Sequence, residues 1–280
     1  MTDAATVGSV REALGSAADA LAAMGIETPR LDAELLLAEA TGWNRARLVA
    51  ESEAGVPAGA ARRFGEMVRR RLRREPVAYI LGRKGFRHLE LQVDRRVLIP
   101  RPETELLVEM ALELRPRRVL DLGTGSGAIA LAIAAELPEC EVAATDTSTA
   151  ALGVARANAA RLGLAGRVEL IEGMLPAEPG EVDLVLANLP YVTEAEWGGL
   201  EPEVTEWEPR EALLAGPDGL DVLRVAIPAA AAVAPVLALE VGADQAAAVG
   251  ELLFDAGFGT VETRPDLAGI PRVVIGLREQ

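Results

Sequence analysis

Asp121-Leu-Gly123-Thr124-Gly125-Ser126-Gly127 stands between the apolar run 119–122 and a stretch rich in Ala, Ile and Leu that begins at Ala128. Three closely spaced glycines between a strand and a helix mark a ligand-binding turn. They let the backbone bend tightly and bring its N–H groups against a ligand, and the helix N-terminus favours a negative group such as a carboxylate. The Gly-x-Gly-x-Gly spacing departs from the Gly-x-Gly-x-x-Gly dinucleotide fingerprint, so the turn alone names no cofactor. Asp146 ends the next apolar run, 19 residues past Gly127, where a carboxylate can accept both hydroxyls of a ribose. Together the two features indicate a nucleoside-bearing cofactor.

Outward from this turn the chain alternates strand and helix. Residues 119–122, 142–145, 168–171, 182–187 and 236–240 are short apolar runs of buried parallel-strand type, separated by helices rich in Ala and Leu. Such alternation specifies an α/β fold with a doubly wound sheet. Two more candidate strands, 259–263 and 272–277, follow a helix over 244–256 and complete a seven-stranded Rossmann-like domain, expected over residues 100–280. Pro100 and Pro102 punctuate the entry to a helix over 103–114, with Glu103 and Glu105 in its favourable first turn.

Toward the N-terminus, apolar residues recur at helical spacing over 10–42, interrupted at Gly25 and Thr28-Pro29. A second helical run, 58–74, ends in Arg69, Arg70, Arg71, Arg73 and Arg74. Such a run is a solvated helix face by default and a docking patch for an acidic partner otherwise. Residues 1–75 are therefore expected to form a small helical-bundle domain. Residues 86–93 and 97–99 flank Asp94-Arg-Arg96 and suggest a hairpin, so 76–99 is expected as a β-hairpin linker.

Bulk properties narrow the function. At 280 residues the chain exceeds a typical single domain. Cys140 and His88 are the single cysteine and histidine, which leaves no His/Cys cluster for a metal and no internal disulfide. No apolar run reaches the roughly 18 residues of a membrane span, and residues 1–5 lack a signal-peptide pattern, so a cytoplasmic protein without a membrane partner is expected. Residues 1–100 carry 16 Lys+Arg against 13 Asp+Glu, whereas residues 101–280 carry 12 against 30. An acidic C-terminal portion repels a phosphate backbone and favours a basic protein or a small ligand over DNA.

The fourth strand of the α/β region runs directly into Asn188-Leu189-Pro190-Tyr191. Ligands in open α/β sheets sit outside the carboxyl ends of the strands, so this tetrapeptide faces the same crevice as the glycine turn. Its residue types suit a flat amide or amino group. The Asn oxygen and a neighbouring backbone carbonyl accept two N–H bonds, Tyr191 packs on the face, and Pro190 holds Leu189 extended.

The glycine turn, Asp146 and the Asn-x-Pro-Tyr order resemble the Asn-Pro-Pro-Tyr amino methyltransferases. More narrowly, Glu75-Pro-Val-Ala-Tyr79-Ile-Leu-Gly82, Leu98-Ile-Pro-Arg-Pro-Glu-Thr-Glu105, Trp207-Glu-Pro-Arg-Glu-Ala-Leu213, Gly219-Leu-Asp221 and Asp266-Leu-Ala-Gly-Ile-Pro-Arg272 resemble the release-factor glutamine methyltransferases, the HemK/PrmC family. The resemblance implies an S-adenosylmethionine-dependent enzyme that methylates the glutamine of the Gly-Gly-Gln motif of class I peptide chain release factors. It implies that Gly123, Thr124, Gly125, Ser126 and Gly127 wrap the methionine end of the cofactor and that Asp146 holds its ribose. It also places Asn188, Leu189, Pro190 and Tyr191 around the substrate glutamine, and assigns the release factor to the helical domain.

Two positions depart from the family pattern. Leu189 replaces a proline while keeping the backbone carbonyl. Glu172-Gly-Met174-Leu175 puts Met174 where the family has an Asp near the adenine, which leaves adenine to Glu172 or to apolar contact from Met174 and Leu175. Three other activities fit the same motifs: a glutamine methyltransferase of a ribosomal protein, a DNA adenine methyltransferase, and a catalytically impaired S-adenosylmethionine-binding protein.

Overall fold

The computed structural model describes residues 6–175 and 180–278, and so leaves out the N-terminal residues 1–5 that were read for a leader. The chain divides into two compact units, the first ending at Gly82 and the second beginning at Arg83. The first unit contains β1 (Thr6–Ser9), α1 (Val10–Ala23), α2 (Pro29–Thr41), α3 (Arg45–Ala50), β2 (Gly55–Pro57), α4 (Ala58–Leu72) and α5 (Val77–Leu81). Local chemistry sets its boundaries. Ser9 and Glu12 form a reciprocal capping box at α1, and Pro29 at the first turn and left-handed Gly42 bracket α2.

The core of this unit is apolar, built from Leu14, Leu21, Leu36, Leu37, Leu48, Phe64 and Ile80. Within it Arg71 donates to Asp32 at 2.7 Å, both side chains being nearly inaccessible. Removing one partner of such a pair typically costs about 3–5 kcal/mol, so Arg71 serves the interior. Arg70 is likewise engaged, with Glu75.

The second unit opens with a hairpin, β3 (Arg83–Phe86) and β4 (Leu89–Gln92), whose turn is Arg87-His88. This corrects the expectation of a turn at 94–96 within a single linker over 76–99. Pro76 and Gly82 bound a short helix that packs into the first unit, so residues 76–82 are not hairpin. Arg87 adopts a left-handed φ of 50° that no glycine advertises. Its backbone N–H donates to Glu105, and its guanidinium donates to Glu136. Residues 94–97 do form a turn, closed by Val97 N–H on Asp94. The strand expected at 97–99 instead joins the site described below.

After the 3₁₀ turn Pro102–Thr104 and α6 (Glu105–Leu114) come β5 (Arg118–Leu122), α7 (Ala128–Glu136), β6 (Glu141–Asp146), α8 (Thr149–Arg161), β7 (Val168–Glu172) and β8 (Leu184–Ala187). Two single-turn helices, α9 (Glu194–Trp197) and α10 (Pro202–Thr205), precede α11 (Asp221–Ala231), β9 (Val236–Glu240), α12 (Ala246–Asp255), β10 (Thr260–Pro265) and β11 (Pro271–Leu277). The strands form a seven-stranded sheet in the order β10-β11-β9-β8-β5-β6-β7. Its last five members are parallel, and β11 runs antiparallel to both β10 and β9.

Alternation along the strands makes two cores. Val119, Ala144, Leu184 and Leu186 face α6 and α7, whereas Leu120, Leu122, Val185 and Ala187 face α11 and α12. The chain leaves β5 toward β6 on one side and returns to β8 on the other. The carboxyl ends of β5 and β8 therefore adjoin at the topological switch point, where such sheets open a crevice.

Candidate active site

The glycine turn follows β5 at this switch point. Asp121, fully buried, accepts from the Thr124 hydroxyl at 2.6 Å and from the Ala130 N–H at 3.2 Å. Burial pushes its carboxyl up to about 7. Asn158, also inaccessible, donates to the Ser126 and Gln92 carbonyls and accepts from the Gln92 N–H, which ties α8 to the turn. Gly123 has a left-handed φ of 70°, and a Cβ there would lie 2.8 Å from Leu189 Cδ2. The turn thus packs directly against the tetrapeptide after β8.

A cleft of about 280 Å³ opens beside these elements. Gly123, Gly125, Asp146, Met174, Asn188, Leu189 and Pro190 border it. Thr124, Ser126 and Gly127 do not; Thr124 and Ser126 turn inward to the bonds just described. Asp146 bridges the cleft wall, Oδ2 accepting from Gly125 N–H at 2.9 Å and Oδ1 from Ser148 N–H at 2.8 Å. Each oxygen keeps a further lone pair. Of residues 172–175, Met174 borders the cleft and Glu172 does not. The Met174 carbonyl is held by the Thr145 hydroxyl at 2.9 Å, and Leu175 packs on the α11 side of the sheet.

The motif Trp207–Leu213 reaches the same cleft through Pro209, Glu211 and Ala212. Glu208, buried, accepts from the Ile99 N–H at 2.9 Å and pairs with Arg101, while Arg95 stacks 4.4 Å over Trp207. These contacts hold residues 95–101 along the cleft, where Arg96, Val97 and Leu98 line it.

A smaller recess adjoins the cleft, sharing Leu98, Asn188, Leu189, Pro190 and Ala212 with it. Arg101, Tyr191, Val192, Leu213 and Glu240 complete its wall. Asn188 Nδ2 donates to Thr104 Oγ1 at 2.9 Å, so its Oδ1 is the group left for a ligand. Burial, followed by the charge of Glu240, pushes the Tyr191 phenol up to about 12. The Tyr191 carbonyl accepts from Gln245 Nε2 at 3.0 Å. Sequence patterns missed Thr104 and Gln245 as members of this site, although Thr104 lies within the Leu98–Glu105 motif.

The residues present fit a nucleoside-bearing cofactor. The cleft combines an apolar wall with a few convergent polar groups, and glycine backbone lies where a Cβ would not fit. Among the described residues no group of three or more His, Cys, Asp or Glu is placed to hold a metal, and no helix is long and apolar enough to cross a membrane.

Residues 12–82 match the PrmC N-terminal domain and residues 102–199 the methyltransferase small domain. A Moorella thermoacetica protein named release factor glutamine methyltransferase is 44% identical over 282 residues, covering 97% of this chain and 99% of its own length. A Cereibacter sphaeroides protein of the same name is 45% identical, covering 94% and 96%. Among solved structures, a methyltransferase from Pyrococcus furiosus has a TM-score of 0.52 at 18% identity, with 70% of this chain and 92% of that one covered. The hMettl16 catalytic domain has a TM-score of 0.57 at 15% identity, covering 68% and 76%. These two likenesses show the fold; the identity and coverage of the first two relatives show that the chain belongs to the release factor glutamine methyltransferase family.

Proposed function

We propose that this protein transfers a methyl group from S-adenosylmethionine to the side-chain amide nitrogen of the glutamine in the Gly-Gly-Gln motif of class I peptide chain release factors. The observation that carries this reading is the orientation of Asn188. With its nitrogen committed to Thr104, its oxygen is available at the junction of cleft and recess as an acceptor for a planar amide. Family membership supplies the substrate class.

When bound, S-adenosylmethionine supplies an electrophilic methyl on a sulfonium sulfur. Gly123 and Gly125 would hold its methionine end, Asp146 its ribose, and Met174 with the apolar wall its adenine. An amide nitrogen is a weak nucleophile because its lone pair is delocalised into the carbonyl. The task of the protein is therefore positioning, which contributes up to about 7–11 kcal/mol in the best intramolecular cases. Asn188 Oδ1 and the Leu189 carbonyl accept the two N–H groups and so aim the nitrogen lone pair, while Tyr191 packs on the amide face. So aimed, the nitrogen would accept the methyl that the bound sulfonium would supply, and would then shed one proton.

Asp146→Ala is expected to weaken cofactor binding by roughly 1.5–3 kcal/mol, the worth of a charge-assisted hydrogen-bond pair. Part of that loss arises from the freed Gly125 and Ser148 N–H groups. Unchanged calorimetric affinity in a folded variant would remove Asp146 from the site.

The substrate is tested by offering intact release factor, the factor with its Gly-Gly-Gln glutamine replaced, a short tip peptide, a ribosomal protein and duplex DNA. Each +CH₂ addition is then located by mass spectrometry. The intact factor is expected to be modified at that glutamine alone. The peptide is expected to be much poorer, because remote contacts, for which the helical unit is available, help position the reacting group. A glycine-flanked glutamine suits the recess because its backbone approaches closely. Methylation of DNA, or of the factor lacking the glutamine, would overturn the assignment.

A further inference from the structure

Once it carries the methyl, the amide nitrogen must lose a proton, and the two groups that hold its N–H bonds cannot take one. Asn188 Oδ1 and the Leu189 carbonyl are neutral amide oxygens, acceptors of hydrogen bonds and not bases near neutral pH. Among the described residues that border the recess, only Arg101, Tyr191 and Glu240 have ionisable side chains. Arg101 is a permanent cation paired with Glu208, and the Tyr191 phenol, pushed up to about 12, keeps its own proton. Glu240 is therefore the one group on this wall able to act as a base.

The sheet sets Glu240 beside Asn188. Strands β8 and β9 run parallel with Ala187 opposite Leu239, so Asn188 and Glu240 follow at the ends of adjoining strands, whose backbones lie roughly 5 Å apart. Alternation turns both toward the α6 side, as it does Leu186 and Ala238 two residues earlier, and Asn188 meets Thr104 there, just ahead of α6. Glu240 is 2% exposed, and its Oε2 is buried without a partner. Buried carboxylate oxygens kept for stability are satisfied, so folding alone gives this one no reason. The recess measures about 30 Å³, where a single water needs roughly 10–15 Å³, so its occupant is a small head group such as a carboxamide, held against the whole wall.

We propose that Glu240 is the general base of the reaction, taking on Oε2 the proton that the methylated amide nitrogen sheds, an inference that rests on the function proposed above. The N–H bond breaks with its electron pair returning to nitrogen, an O–H bond forms on the carboxylate, and the positive charge on nitrogen and the negative charge of Glu240 cancel. A cation developing in a buried recess is costly unless an opposite charge already stands beside it. The carboxyl returns its proton to solvent after the product leaves.

The charged and titratable groups facing Glu240 are Glu103 and Arg101 from the segment before α6, Arg272 from β11, and Tyr191. Arg101 is engaged with Glu208 and Arg272 with Asp266. Burial first, with the charge of Glu103 added to it, pushes the Glu240 carboxyl up to about 7, a value suited to taking and releasing a proton near neutral pH. The ionised, basic form is present above that value and is lost as pH falls through it.

The test uses the full chain with intact release factor, measuring the single-turnover rate, KM and calorimetric cofactor affinity across roughly pH 5.5–8.5. Glu240→Gln keeps the shape of the side chain and removes the base. It is expected to slow transfer by at least about a hundredfold at the alkaline end, with KM and cofactor affinity held. The wild-type rate should fall roughly tenfold per pH unit on the acid side, and Glu240→Gln should lose that decline. The Asp121 carboxyl is also pushed up to about 7, but it remains in Glu240→Gln, so the comparison assigns the decline to Glu240. NMR of enzyme isotopically labelled at its glutamate carboxyls, without substrate, should show a titration near 7 that Glu240→Gln lacks. An undiminished rate in Glu240→Gln, a wild-type pH profile in that variant, an equal loss of cofactor affinity, or the absence of that titration would overturn the proposal. Should Glu240→Gln not fold, Glu240→Asp decides it: a slower enzyme that keeps the acid-side decline is expected, and a profile without that decline overturns the role. A wild-type enzyme inert toward release factor would instead fail the proposed function, which separates the two outcomes.

Discussion

Asn188→Ala is expected to reduce methyl transfer by roughly a hundred- to a thousandfold, the range for losing one preorganised group aimed at a transition state, while cofactor binding stays measurable. The substitution removes the Oδ1 acceptor and leaves Thr104 Oγ1 buried without its donor. It leaves the proposed cofactor contacts intact, because Gly125 and Asp146 are held to one another and to Ser148, independently of Asn188. The loss should fall mainly on kcat, since an interaction that strengthens as the lone pair localises is made in the transition state. Single-turnover kinetics and calorimetry on the same preparation check this. Parallel losses in cofactor affinity and turnover would make Asn188 a cofactor ligand and remove the amide clamp.

The glycine turn, Asp146 and Asn188–Tyr191 were legible in the sequence because each lies at the end of a strand whose apolar run is local. In an open α/β sheet, strand ends converge by topology, so residues 121, 146 and 188 needed no contact information to be placed together. Contacts that depend on distant segments left no such pattern. Thr104 and Asn188 are 84 residues apart, and Gln245 reaches Tyr191 across 54. The hairpin turn was misplaced because Arg87 takes a left-handed conformation under tertiary control, through Glu105 and Glu136, whereas Asp94-Arg-Arg96 has the residues that local turn chemistry prefers. Leu189 shows a third case. It stands where the family has a proline, and it is 8% exposed and packs against Gly123, so tertiary packing that no local pattern shows holds it.

Gly219→Ala is expected to reduce activity by at least about a hundredfold without changing any side chain assigned to the substrate, because it displaces the backbone on which Tyr191 is mounted. Gly219 has a φ of 74°, and a Cβ there would lie 2.3 Å from the Tyr191 carbonyl oxygen and 2.5 Å from Gln245 Nε2. Neither neighbour yields freely. The amide nitrogen of Gln245 donates to the Tyr191 and Gly219 carbonyls, and its oxygen accepts from Gly242 N–H. On its other side the chain after Tyr191 is pinned by Val192, whose N–H donates to Leu213 and whose carbonyl accepts from Ala215. The left-handed conformation alone costs an alanine about 1–2 kcal/mol. The clash with a main-chain oxygen adds to that and is relieved only by moving Tyr191. Gly163→Ala separates the two contributions, since Gly163 also has a positive φ, of 72°, but no atom lies within 4 Å of its Cβ position. It should lose stability through backbone strain and retain its turnover. Thermal melts together with kcat for both variants check this, and a Gly219→Ala enzyme as active as Gly163→Ala would show that the recess does not depend on where Gln245 and Gly219 hold the Tyr191 backbone.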